Sequence, residues 1–140
     1  MTASMVFTIV NLIAMSMWLL MIVLPRWKVT QLLIDYKTIP IVLSLIYAVY
    51  IVISLGGSGS MDFSSLDSVM KLFTVENSVL AGWVHYLAFD LLVGMWILDQ
   101  NKQLGLSHLL IIPCLLGSFT LGPIGFLLFM VMKALKSKAS

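Results

Sequence analysis

Residues 78–98 read SVLAGWVHYLAFDLLVGMWIL, and this stretch decides the fold. At 1.5 Å per residue it makes a helix of about 30 Å, the thickness of the hydrocarbon core of a bilayer. Only Asp90 and His85 bring ionisable groups into it. A helix that is apolar all the way round has no wet face, so lipid or other helices must surround it.

Three more runs of the same kind lie outward from it. Residues 5–24 form the first expected span, which stops at Pro25-Arg26-Trp27-Lys28. A helix breaker, an interfacial aromatic and two cations that reach the headgroups make a strong stop. Residues 38–55 form the second, with Pro40 in the first turn, where a missing N–H costs little. Residues 109–132 form the fourth. The runs are continuously apolar rather than alternating, which excludes a membrane β-barrel. The expected fold is all-α: one domain over 1–140, with four transmembrane helices at 5–24, 38–55, 78–98 and 109–132.

Composition agrees with that reading. Of 140 residues, 61% are hydrophobic and 10% charged, too apolar for a small soluble domain that must keep much of its surface in water. Basic residues cluster at span ends rather than in a patch interleaved with aromatics, so nucleic acid is not expected as a partner. A single cysteine, Cys114, excludes an internal disulfide and reads as a buried inert thiol. Residues 1–4 hold no Lys or Arg, so neither a signal peptide nor an Arg-rich transit peptide is expected. Four crossings would put Lys71, Lys133, Lys136 and Lys138 on one side and Arg26, Lys28, Lys37 and Lys102 on the other. That is a tie under the positive-inside rule, and it leaves the orientation open.

Between the second and third spans, GGSGS at 56–60 reads as a flexible linker. In residues 61–75 Phe63, Leu66, Met70 and Phe73 recur at helical spacing, opposite Ser64, Asp67, Ser68 and Lys71. This pattern predicts a short amphipathic helix in the membrane interface, with Asp62 helping to cap it and Asp67/Lys71 as an i,i+4 pair. A lid over a site on that face is the other reading.

The chemistry concentrates in the third span. Asp90 lies about 18 Å along the helix, near the midplane, where a carboxyl must be paired, hydrated or protonated. It serves either proton transfer or hydrogen-bonded helix association. Gly82, Tyr86, Asp90 and Gly94 share one face, open to a close helix or a flat ligand. His85 lies about 140° around the helix from Asp90, so one small atom cannot be held by both. Asn11 and Tyr50 match the depth of His85, and Ser44, Ser118 and Thr120 that of Asp90. Glu76 and Asn77 open the helix as a cap or as a polar mouth to a cavity around His85. A metal held by Glu76, His85, Asp90 and His108 is disfavoured, because their spacing matches no tight ligand motif. In the fourth span, LGPIG at 121–125 must bend the helix, because Pro123 has no N–H for the carbonyl of Phe119.

The elements Glu76-Asn77, GWVHYLAFD at 82–90 and LGPIG at 121–125 together resemble the abscisic-acid-deficient-four-like family. The likeness runs from about Phe7 to Lys136. Its most specific part is the Trp-x-His-x-x-Ala-x-Asp pattern at 83–90. Plant members are plastid membrane proteins needed to make neoxanthin from violaxanthin. They carry a transit extension, which is not expected here, so the chain resembles a compact bacterial branch in an inner membrane; they also tend to have an Arg where this chain has Met95-Trp96, which leaves the substrate open. The resemblance implies a carotenoid or related isoprenoid as ligand and an isomerisation that opens an epoxide to an allene without net redox change. Such a step needs an acid for the epoxide oxygen and a base for a carbon-bound proton.

On this reading His85 and Asp90 are the catalytic candidates. Glu76, Asn77, Tyr86 and Asn11 would contact substrate, and Trp83 would pack on the polyene. No cofactor is expected, as no phosphate-binding glycine loop exists. Expected partners are membrane lipid, the apolar ligand and a second copy of the chain. A non-enzymatic carotenoid-binding or assembly subunit is the main alternative, and a proton-coupled carrier a third.

Overall fold

The computed structural model describes residues 1–58 and 61–139. Among them the chain forms seven helices. Three are long and apolar enough to cross a membrane: α1 (Ala3–Val23), α3 (Thr38–Ser58) and α5 (Glu76–Leu104). The all-α membrane fold read from the sequence therefore stands. The helices group into two compact units, Met1–Ala14 with Ile39–Ala88 and Met15–Thr38 with Phe89–Ser140.

In the first unit α3 runs on past residue 55, so Gly56, Gly57 and Ser58 continue the helix instead of opening a linker; Gly59 and Ser60 lie outside the described residues. The amphipathic segment narrows to α4 (Leu66–Leu72). Ser65 caps it, its hydroxyl accepting from the Ser68 amide, while Asp62 accepts from the Ser64 amide and the Ser68 hydroxyl. Bonds from Ser64, then Ser68, hold the Asp62 carboxyl below its ordinary range. Asp67 and Lys71 pair at 2.7 Å as their spacing predicts. Leu66 and Met70 stay 77% and 62% exposed, an apolar face suited to the lipid interface.

The second unit holds two surprises. After Pro25 the chain forms a helix, α2 (Lys28–Asp35), burying Thr30 and Ile34 where the sequence reads only as a basic connection. Past its Tyr36 cap the chain turns at Lys37, held at φ +51, whose ammonium bonds the Ile34 carbonyl at 2.7 Å and Asp99 at 3.2 Å. The larger surprise is the expected span at 109–132. It is two helices, α6 (His108–Leu121) and α7 (Pro123–Ala139), folded back on one another.

Gly122, at φ +52, makes the turn, and Pro123 starts α7 in the position that needs no N–H donor. Cys114 Sγ lies 3.5 Å from Met132 Sδ, although a straight helix would hold them about 27 Å apart. Small residues permit the reversal: a Cβ on Gly117 would lie 3.0 Å from Gly125 Cα. The bend expected at Pro123 is therefore a full reversal. α6, about 21 Å long, is shorter than a bilayer crossing, and α7 folds back along it. Lys133, late in α7, donates to Gln100 at the end of α5 at 2.7 Å, so α7 returns to that end of α5.

Candidate functional site

α5 carries Glu76, Asn77, Ser78, Trp83, His85, Tyr86 and Asp90, and its rotational phase sorts them. Ser78, Gly82 and His85 lie on one side, and there the first unit contains a cavity of 110 Å³. Tyr47 and Ile51 of α3 wall it; Phe63, Leu72 and Phe73 close it from the α4 segment. The imidazole of His85 stands 5.5 Å from the Tyr47 ring. Ser78 shares a hydrogen bond with Ser54, tying α5 to α3 at the cavity's edge. Gly82 leaves room for Phe73, whose ring lies 3.4 Å from where a Cβ would stand. The segment around α4 thus acts as a roof as well as an interfacial element.

Tyr47 is the residue that sequence reasoning missed. With the observed ends Tyr50 and Tyr47 lie about 12 and 16 Å from the end of α3, and His85 about 14 Å from the start of α5, so depth does not choose between the two tyrosines; the ring contact with His85 does. Because α3 is apolar on all sides, no periodicity says which tyrosine faces α5.

A different side of α5 carries Trp83 and Tyr86. Trp83 donates from Nε1 to Asn11 Oδ1 at 3.1 Å, while Asn11 donates to the Phe7 carbonyl at 2.6 Å. The Phe7 and Tyr86 rings each lie 5.6 Å from that of Trp83. Asn11, Trp83 and Tyr86 are thus one aromatic cluster on the α1 side, apart from the cavity. Removing the amide in Asn11→Leu is expected to cost about 1 kcal/mol of stability, read by denaturation in mixed micelles. Glu76 lines a shallower cleft of 350 Å³ with Ser4, Phe7 and Thr74. Asn77, half-buried, lines neither cleft.

In the second unit Asp90 is buried, 8% exposed, at the hairpin turn. Its Oδ1 lies 3.0 Å from where a Cβ on Gly122 would stand, beside the first residue of α7. A helix N-terminus favours a carboxylate, and broken membrane helices present such ends inside the bilayer. Gly94, one turn on, is covered by the buried Trp18, whose ring atoms would be 2.6 Å from a Cβ there. Of the hydroxyls matched in depth to Asp90, Thr120 donates to its own helix at Leu116 and Ser118 Oγ faces Gly125. Met95 is buried, and Trp96 packs on Phe126 and Phe129 of α7, so Trp96 serves the hairpin. Among the described residues no three His, Cys, Asp or Glu side chains converge on a point. Cys114 is buried between α6 and α7.

Apolar membrane-length helices, a folded-back apolar helix pair and a roofed cavity with one imidazole define a polytopic α-helical membrane protein. The sequence model of the family described as ABA DEFICIENT 4-like matches residues 5–129, and the chain belongs to that family. No curated protein and no solved structure matches it. The family and the apolar helices together make it a carotenoid-related protein of the membrane.

Proposed function

We propose that the chain isomerises a carotenoid or related isoprenoid by acid–base chemistry, with His85 as the proton-transferring group. The observation that carries this reading is the cavity at His85. An apolar cavity of about 150 Å³ takes benzene. A cavity of 110 Å³ is smaller than that, so it would take the edge of one end ring, with the α4 roof moving aside to admit the rest, and never the whole length of such a molecule. Its lining is apolar except for His85, Tyr47 and Ser78, the kind of site that holds a greasy ligand and aims few polar groups at it. The polyene would extend from it along apolar helix faces toward lipid.

For an epoxidised end ring, protonated His85 gives its proton to the epoxide oxygen as the C–O bond breaks. The neutral imidazole then takes a proton from a carbon of the chain, and the electron pair left behind completes the allene. The proton lost is regained, so the step is an isomerisation and consumes no co-reactant. Tyr47 and Ser78 are placed to polarise the oxygen. Glu76, Asn77, Trp83, Tyr86 and Asn11 are proposed as ligand contacts outside the cavity. Asp90 is the second candidate for proton transfer, in its own unit at the hairpin turn.

The test is expression in cells making defined carotenoids, with and without epoxidised end rings, followed by pigment analysis. Wild type is expected to yield a rearranged product that falls at least about 100-fold in His85→Ala. A product that persists in both His85→Ala and Asp90→Asn would sink the assigned roles. One observation favours a binding-only reading: among the described residues the cavity lining holds no carboxylate. Pigment that co-purifies unchanged with wild type and with Asp90→Asn would establish that second reading.

A further inference from the structure

We propose that the second unit binds the phosphate of a membrane phospholipid in a cleft beneath the end of α1, a site independent of the His85 cavity. The cleft has a volume of 340 Å³ and is lined by Arg26, Lys102, His108, Gln31, Asn101 and Ser107 with a few apolar neighbours. Two charged cations, Arg26 and Lys102, stand on its wall beside the imidazole of His108, and none of its lining is acidic. It adjoins a wider, largely apolar groove of 570 Å³ along Val23, Leu24 and Trp27, and the two share Pro25, Arg26 and His108. A polar basic cleft continuous with an apolar groove matches an amphiphile with an anionic head and a hydrocarbon tail. A free anion would use the first and leave the second idle.

The three basic side chains are not equivalent. Lys102 is already engaged by Asp99 at 3.0 Å and lies 3.9 Å from Asp35. His108 is held in place because its Nε2 donates to the Ile22 carbonyl at 2.7 Å. Pro25 and the end of α1 leave that carbonyl without a helical donor, so His108 caps the helix and turns Nδ1 elsewhere. Arg26 is exposed and forms no ion pair among the described residues. Its planar fork suits two phosphate oxygens at once, and its place just past a membrane span is headgroup level. Asn101 holds the floor: its side chain bonds both the N–H and the carbonyl of Leu106, at 3.0 and 2.9 Å.

The test titrates the purified full chain in detergent with short-chain phosphatidylglycerol, the matching diacylglycerol and inorganic phosphate, read by native mass spectrometry and thermal shift. Phosphatidylglycerol is expected to bind saturably and diacylglycerol at least tenfold more weakly. Arg26→Gln should weaken phosphatidylglycerol about tenfold, and Arg26→Lys less. Equal binding of the two lipids by wild type would overturn the proposal whatever the variants do. So would unchanged affinity in Arg26→Gln, or inorganic phosphate competing as well as the lipid.

Discussion

A cysteine at position 138 is expected to react with a membrane-impermeant maleimide from the same side as one at position 102, and from the side opposite to one at position 71. The background is Cys114→Ser, since the one native thiol is buried between α6 and α7. The expectation follows from the reversal at Gly122. One continuous fourth helix would carry the C-terminal lysines to the far side. Folded back, α7 returns Lys133 to Gln100 at the end of α5. If α5 crosses the membrane, Arg26, Lys28, Lys37, Lys102, Lys133, Lys136 and Lys138 are expected on one side and only Lys71, which precedes α5, on the other. A four-to-four tie then becomes seven to one, and the positive-inside rule predicts that the seven face the cytoplasm. Labelling of positions 138 and 71 from one side would refute the hairpin as a re-entrant element.

Gly125→Ala is expected to lower stability by about 3 kcal/mol, at the upper end for overpacking. A methyl there would sit 2.1 Å from the Ser118 amide nitrogen and 2.3 Å from the Cys114 carbonyl oxygen. Both are backbone atoms of α6, so no side chain can swing aside and the two helices must part. Gly122→Ala adds a second route to the same loss, because its φ of +52 disfavours any side chain and its Cβ would meet Asp90. Gly56→Ala is the control. It lies in α3 with nothing within 4 Å, and removing a flexible residue from a helix should stabilise by about 0.5–1 kcal/mol. Denaturation in mixed micelles reads all three. Equal stability of Gly125→Ala and wild type would mean that α6 and α7 do not pack this closely.

What can be read from the sequence divides by physical cause. Spans α1, α3 and α5 are legible because unbroken apolarity over about 20 residues is rare outside a membrane-crossing helix. α2 is not, since one i,i+4 pair, Thr30 and Ile34, in eight residues hardly differs from a loop. The fourth stretch misleads for a related reason. Its 24 residues fit one kinked crossing as well as two half-depth helices. What decides between them is the contact of Gly117 with Gly125, invisible in hydropathy. Within the site, His85 and Asp90 stand out because ionisable groups are rare in a span. Tyr47 does not, because its role depends on the phase of a helix without a polar face.

The hairpin also bears on how the protein is made. At about 21 Å, α6 is too short to be held in a bilayer as a span of its own. Its carboxyl end would leave polar backbone stranded among acyl chains until α7 had been synthesised. α6 must therefore wait at the membrane surface, or inside the insertion machinery, for the ribosome to deliver its other arm. The two arms then enter as one prefolded unit against α5, already in place. Chains halted just after Leu121 should accordingly leave Cys114 open to a water-soluble maleimide, which the finished hairpin shields.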